Sequence, residues 1–259
     1  MTIDLAECRA KIERAQEHRE VLDAEVAPGN KSKRLNVSAK LDPQLGYHVL
    51  RVSEIPEGWV IRMGVILGDV IHNLRGALEY LYWQLYCHYV RIPTPKQAEE
   101  VKFPIESTKK RFSDKRVHVR KIPGAQWAVI RKAQPYYRPY ARRNIALAAL
   151  RDLSNRDKHE SLNPLLMRTS TFGLTDELRN AGPFKFRSLG RFSSHREGLK
   201  VGTNIVDIEF FSDVDPEVEV AGYTTALILL PEGDFEIMEG VDLMLTVVRD
   251  IVNGIEAEL

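Results

Sequence analysis

The chain has 259 residues, 44% hydrophobic and 28% charged, with a formal net charge of +1. That is enough apolar material for a sizeable core, and it excludes a disordered, collagen-like or disulfide-stapled protein. The longest apolar runs, such as 226–230, fall far below the roughly 18 residues of a membrane helix, Cys8 and Cys87 make no metal or disulfide spacing, and no signal-peptide order opens the chain, so a cytoplasmic protein is expected.

In chain order, helix formers with apolar residues at Leu5, Cys8, Ile12, Ala15 and Leu22 predict an amphipathic helix over 3–26, stopped by Pro28-Gly29. Period-two alternation over 34–41, 47–52 and 59–63, the last two flanking Pro56-Glu57-Gly58, predicts a short antiparallel meander. A long helix is expected over 65–90, ended before Pro93 and Pro95. The basic stretch 96–125 reads as mostly loop with a short helix around Phe112, and helices follow over 126–133 and 141–156. Beyond Pro164 the segments 183–188, 204–211, 218–220 and 224–230 read as strands, and a closing helix is expected over 240–258. The predicted fold class is α+β: a helical bundle core with an N-terminal β-meander and a C-terminal antiparallel sheet closed by a helix. Residues 1–163 carry the helical core and meander and 164–259 the sheet and its helix, packed as one globular unit.

Charge is segregated along the chain. Residues 109–158 hold fifteen Lys or Arg against three acids, a formal +12, whereas 205–259 hold fourteen acids against one base, a formal −13. A basic segment concentrates anions, and here it is interleaved with Phe112, Trp127, Tyr136, Tyr137 and Tyr140, which suits RNA through phosphate contacts and base stacking. The competing expectation is that the acidic end folds against the basic middle and neutralises it. No membrane partner is expected, and the C-terminal half is a candidate surface for a homodimer or a protein partner.

Two polar constellations stand out. On the helix over 68–85, Val70, Leu74, Ala77, Leu78, Leu81 and Leu85 share the core arc, while Asp69, His72, Gly76, Glu79 and Trp83 stack on the opposite side beside Asn73 and Arg75. A mid-helix Gly costs about 1 kcal/mol relative to Ala, and a stripe with His, Gly and Trp but no Lys is unusual for a solvated face. The second constellation, Asn155-Arg156-Asp157-Lys158-His159, packs an amide, an acid, an amine and an imidazole at a helix end. His titrates near neutrality and Lys or Arg can stabilise charge on phosphorus, although the helix dipole alone also explains cations there.

These residues resemble a group of uncharacterised bacterial proteins with the pattern G-D-x-x-H-N-L-R-x-A-L-(D/E)-(H/Y)-L, then F-P-I, Q-P-Y and L-x-N-x-D-K-H. Here it runs from Gly68 to Leu81, then Phe103-Pro104-Ile105, Gln134-Pro135-Tyr136, and Leu153, Asn155, Asp157, Lys158 and His159. That group in turn distantly resembles the HEPN superfamily of helical, metal-independent ribonucleases, whose hallmark is an Arg followed four to six residues later by His. The resemblance implies an endoribonuclease needing no cofactor or metal. His72, Arg75, Glu79, Lys158 and His159 would be catalytic, and Asn73, Arg151, Asn155, Asp157 and Tyr136 would bind substrate, with His159 or His72 taking the 2′-hydroxyl proton. Two other readings stay open: a metal-dependent hydrolase using Asp69, His72, Glu79, Asp157 and His159, and a non-catalytic binding or regulatory module in which the polar residues form a buried network.

Overall fold

A computed structural model describes residues 3–26, 35–42, 44, 47–54, 58–159, 173–174, 186–188, 204–210, 220–224, 227–230 and 233–259. Side-chain surroundings are described for 3–26, 44, 49, 58–59, 61–116, 119–156 and 237–259. The longest helix, α2 (Trp59–Tyr89), follows from buried residues recurring every three or four positions: Met63, Leu67, Val70, Leu74, Leu78, Leu81 and Leu85. Full burial of a side chain such as Leu74 or Leu78 contributes about 2 kcal/mol. Gly58 caps its start at φ 66°, a left-handed conformation that costs glycine little.

The other long helices pack around α2. Helix α1 (Ala6–Val26) runs antiparallel to it, because Lys11 reaches Asn73, His18 lies 3.9 Å from Asp69, and the Trp59 indole donates to the Glu25 carbonyl at 3.3 Å. The last helix, α7 (Ile237–Glu256), runs antiparallel to α1, joined by Arg9–Glu256 at 2.5 Å and Arg19–Asp242 at 2.8 Å. Helix α6 (Arg142–His159) packs on α2 and α7, and α5 (Gly124–Ala133) on α7. With neighbours on several sides, α7 buries a wide arc: Ile237, Val241, Met244, Leu245, Val247, Val248, Ile251, Val252 and Ile255.

Two short helices occupy the stretch expected to be mostly loop. Helix α3 (Pro95–Ala98) begins with a reciprocal Thr94–Gln97 capping box. Helix α4 (Lys109–His118) is capped by Thr108 and holds Phe112 stacked on Trp127 with ring centroids 4.7 Å apart. Arg116 ties down the following turn, donating to the carbonyls of Val119 at 3.0 Å and Ile122 at 2.7 Å while lying over the Trp127 ring.

Strand backbones join the two ends of the sequence. β1 (Leu35–Asp42) and β2 (Tyr47–Glu54) pair antiparallel, with Ala39 opposite Leu50. They are flanked by β6 (Val220–Thr224) and β5 (Asn204–Phe210), with β3 (Gly173–Leu174) and β4 (Phe186–Ser188) outermost, and β7 (Leu227–Leu230) pairs with β8 (Gly233–Glu236). The side chains of these strands, Val49 apart, lie outside the described residues.

The expected α+β class is corrected. Where side-chain surroundings are described, 74% of residues are helical and 1% strand, with no sheet, so the body that carries the candidate residues is a helical bundle. The expected third meander strand, 59–63, is instead the first turn of α2. Trp59 and Met63 are both buried, four residues apart, a spacing that fits a helix face as well as alternation in so short a window. The C-terminal helix, expected to close a C-terminal sheet, instead completes the bundle against α1, α2, α5 and α6, and it meets β7 and β8 as well.

Candidate functional site

The polar residues of the first constellation converge on an irregular piece of backbone, 103–107, between α3 and α4. Glu79 accepts from the Phe103 amide at 2.7 Å, and Arg75 donates to the Phe103 carbonyl at 3.0 Å while pairing with Glu79. The next residues are held from α5 and α6. Gln134, fully buried, donates to the Pro104 carbonyl at 2.9 Å and accepts from the Glu106 amide at 2.8 Å. Arg151 reaches the Ile105 carbonyl at 3.4 Å and the Ser107 hydroxyl at 2.8 Å, and makes a fork with Asp152. Phe103 and Ile105 are buried and, among the described residues, no strand pairs with this backbone, so side chains supply the hydrogen bonds it requires.

Electrostatics match that enclosure. Burial holds the Arg75 guanidinium below its ordinary range; the Glu79 carboxylate opposes that shift and nearby Arg151 adds to it. Arg75 Nη1 is buried without a hydrogen-bond partner among the described residues.

The residues expected at a site separate into three groups. Arg75, Glu79 and Arg151 come together, on backbone. Asn73 is buried, donating to the Asp69 carbonyl at 2.8 Å and accepting from Lys11 at 3.2 Å, while Tyr136 packs near Phe112 and burial pushes its hydroxyl up. His72 and Asn155 are exposed, and the side chains of Asp157, Lys158 and His159 lie outside the described residues. Among the described residues no group of three His, Cys, Asp or Glu comes together to hold a metal ion.

Sequence reasoning reaches Gln134 only through a motif and misses Asn144 and Lys11. Asn144 is buried and its amide donates to the carbonyls of Gln134 at 2.6 Å and Lys132 at 3.1 Å. Its signal was an amide three residues before Leu147 on the apolar face of α6.

Beyond Gln134 the chain turns outward. Pro135 ends α5, and two consecutive turns, Tyr137 amide to Gln134 carbonyl and Ala141 amide to Arg138 carbonyl, both 3.0 Å, carry it to α6. The base of this turn is held by buried Gln134 and Asn144. At its tip Tyr137 is 39% and Tyr140 93% exposed. Arg131 lies over the Tyr137 ring at 6.0 Å, Lys132 and Arg138 are exposed on the same stretch, and Lys132, Tyr137, Arg138 and Arg143 contribute to a cavity of about 440 Å³.

The acidic C-terminal helix neutralises only part of this charge. Arg142 pairs with Glu239 at 2.5 Å and Arg143 with Asp250. Among the described residues Lys109, Lys110, Arg111, Lys115, Arg120, Lys121, Lys132 and Arg138 have no ion-pair partner. The stripe on α2 borders a second cavity, of about 380 Å³, lined by His72, Gly76, Glu79, Tyr80 and Trp83 with Lys11 of α1 and Val101 of the α3–α4 connection.

No protein-family model, curated protein or solved structure matches the chain. Those comparisons lend no support to the HEPN resemblance. No helix among the described residues is long and apolar enough to cross a membrane.

Proposed function

We propose that this protein is a non-catalytic binding module that takes single-stranded RNA on the turn between α5 and α6, in the cytoplasm. The observation that carries the reading is the pair of exposed rings, Tyr137 and Tyr140, among unpaired cations on a turn whose base is buried. Exposed aromatic faces accept bases in any sequence, and Lys or Arg beside them accept phosphates, so such a surface binds single strands with strong salt dependence and little sequence preference. A non-catalytic role is supported by Arg75, Glu79 and Arg151, which are occupied with backbone groups of 103–107. The two unpaired cysteines suit a reducing compartment.

The test is fluorescence anisotropy with a labelled oligouridylate over a range of salt, with EDTA present and the RNA examined for cleavage. Tyr140→Ala combined with Arg138→Ala is expected to raise Kd about tenfold or more at unchanged melting temperature. Absence of binding at low salt would overturn the reading. Cleavage that His159→Ala abolishes would replace it with the ribonuclease.

A further inference from the structure

We infer that the groove between α1 and α2 is a binding site for a small planar ligand carrying one anionic group, of about the size of a nucleoside monophosphate. This is independent of RNA binding by the α5–α6 turn. The cavity, about 380 Å³, lies within the range that holds small ligands. Its two ends differ in chemistry. At one end the Lys11 ammonium gives one hydrogen bond to Asn73, and its other N–H groups have no partner among the described residues. Exposed His72 stands beside it. Glu79 also lines the wall, but its carboxylate is balanced by Arg75 and engaged by the Phe103 amide; Asp69 lies farther along α2, facing His18 of α1.

At the other end are Tyr80, 40% exposed, and half-buried Trp83, which offer apolar ring surface. Asn73, which holds the ammonium, and Tyr80 are seven residues apart, about 11 Å along the helix axis, so cation and rings are separated by roughly the length of a nucleotide. The floor between them is Gly76. A methyl group built there would meet only the Lys11 stem, at 3.8 Å, which is ordinary contact. Close helix packing therefore does not require glycine at this position. Its missing side chain leaves room for the Lys11 stem and for the cavity beside it, which a longer residue would crowd.

Trp59 and Trp127 are 4% and 8% exposed, so quenching of tryptophan fluorescence reports on Trp83. Titration with AMP, adenosine and inorganic phosphate is the experiment. AMP is expected to quench saturably and Gly76→Leu to abolish the effect. Lys11→Met should weaken AMP about tenfold, as adenosine should be weaker than AMP in the wild type, for loss of a charge-assisted contact. Inorganic phosphate alone should not quench. No saturable quenching by AMP at millimolar concentration, or equal affinity in a folded Gly76→Leu variant, would overturn the site. Equal affinity for adenosine and AMP, or for AMP in wild type and Lys11→Met, would overturn the anionic end.

Discussion

The segment 103–107 and the turn 134–141 are both short connections, each carrying proline, each bordered by arginine, yet they use their polar neighbours in opposite ways. In the first, the backbone groups of Phe103, Pro104, Ile105 and Glu106 are bonded by Arg75, Glu79, Gln134 and Arg151. In the second, the backbone makes its own turns, leaving Tyr137, Arg138 and Tyr140 to solvent. The difference follows from burial. An irregular backbone enclosed between helices must find partners, and any charged side chain within reach is drawn into that role, whereas the exposed part of a turn with internal hydrogen bonds makes no such demand. Conspicuous polar residues are thus not equally available to a ligand.

The largest test of this contrast is Gln134→Leu. The apolar side chain leaves the Pro104 carbonyl and the Glu106 amide without their partner in a buried place, at a cost of about 3 kcal/mol in urea unfolding. A loss below about 1 kcal/mol would mean that the segment is held elsewhere.

Next in size is Glu79→Gln, which keeps the shape and one acceptor but takes the counter-ion from a largely buried Arg75. Unfolding free energy should fall by about 2 kcal/mol, with RNA affinity in the anisotropy assay unchanged within twofold. Unaltered stability together with altered handling of RNA would erase the contrast and return Glu79 to a site role.

Much of the helical bundle was legible because helical burial repeats over many turns: Val70, Leu74, Leu78, Leu81 and Leu85 are all buried on the predicted face of α2. The start of that helix was misread, since five residues around Trp59 and Met63 satisfy both periodicities. The placement of α7 could not be read from its own sequence, because an apolar helix suits a sheet or a bundle equally well. At the candidate site Arg75 and Glu79 of the pattern converge with Arg151, which lies outside the pattern and was expected to bind substrate. Their role was hidden because the partner is backbone, and a backbone carbonyl has no letter of its own. Exposure was likewise invisible for the five aromatic residues of the basic segment: Phe112 and Trp127 stack inside, Tyr136 is half-buried, and Tyr137 and Tyr140 face out.

A smaller effect asks whether the enclosure around the segment 103–107 extends across α2 to its packing with α1. Burial, aided by the Glu7 carboxylate, pushes the Cys8 thiol from its ordinary 9.0 up to about 11. The folded chain therefore keeps this proton at a pH where the unfolded chain has begun to release it. The associated stability is fully present below pH 9 and is lost as pH rises towards 11. Between about pH 8 and 10 the loss amounts to roughly 1 kcal/mol. Burial also pushes the Tyr82 hydroxyl up, so its contribution emerges mainly at the alkaline end of that window and beyond. Cys8→Ala should be less stable overall, for want of the buried sulfur, but its stability should fall less steeply over this interval. Parallel slopes in the two proteins would mean that water reaches the thiol, and that the enclosure around Phe103 stops short of α1.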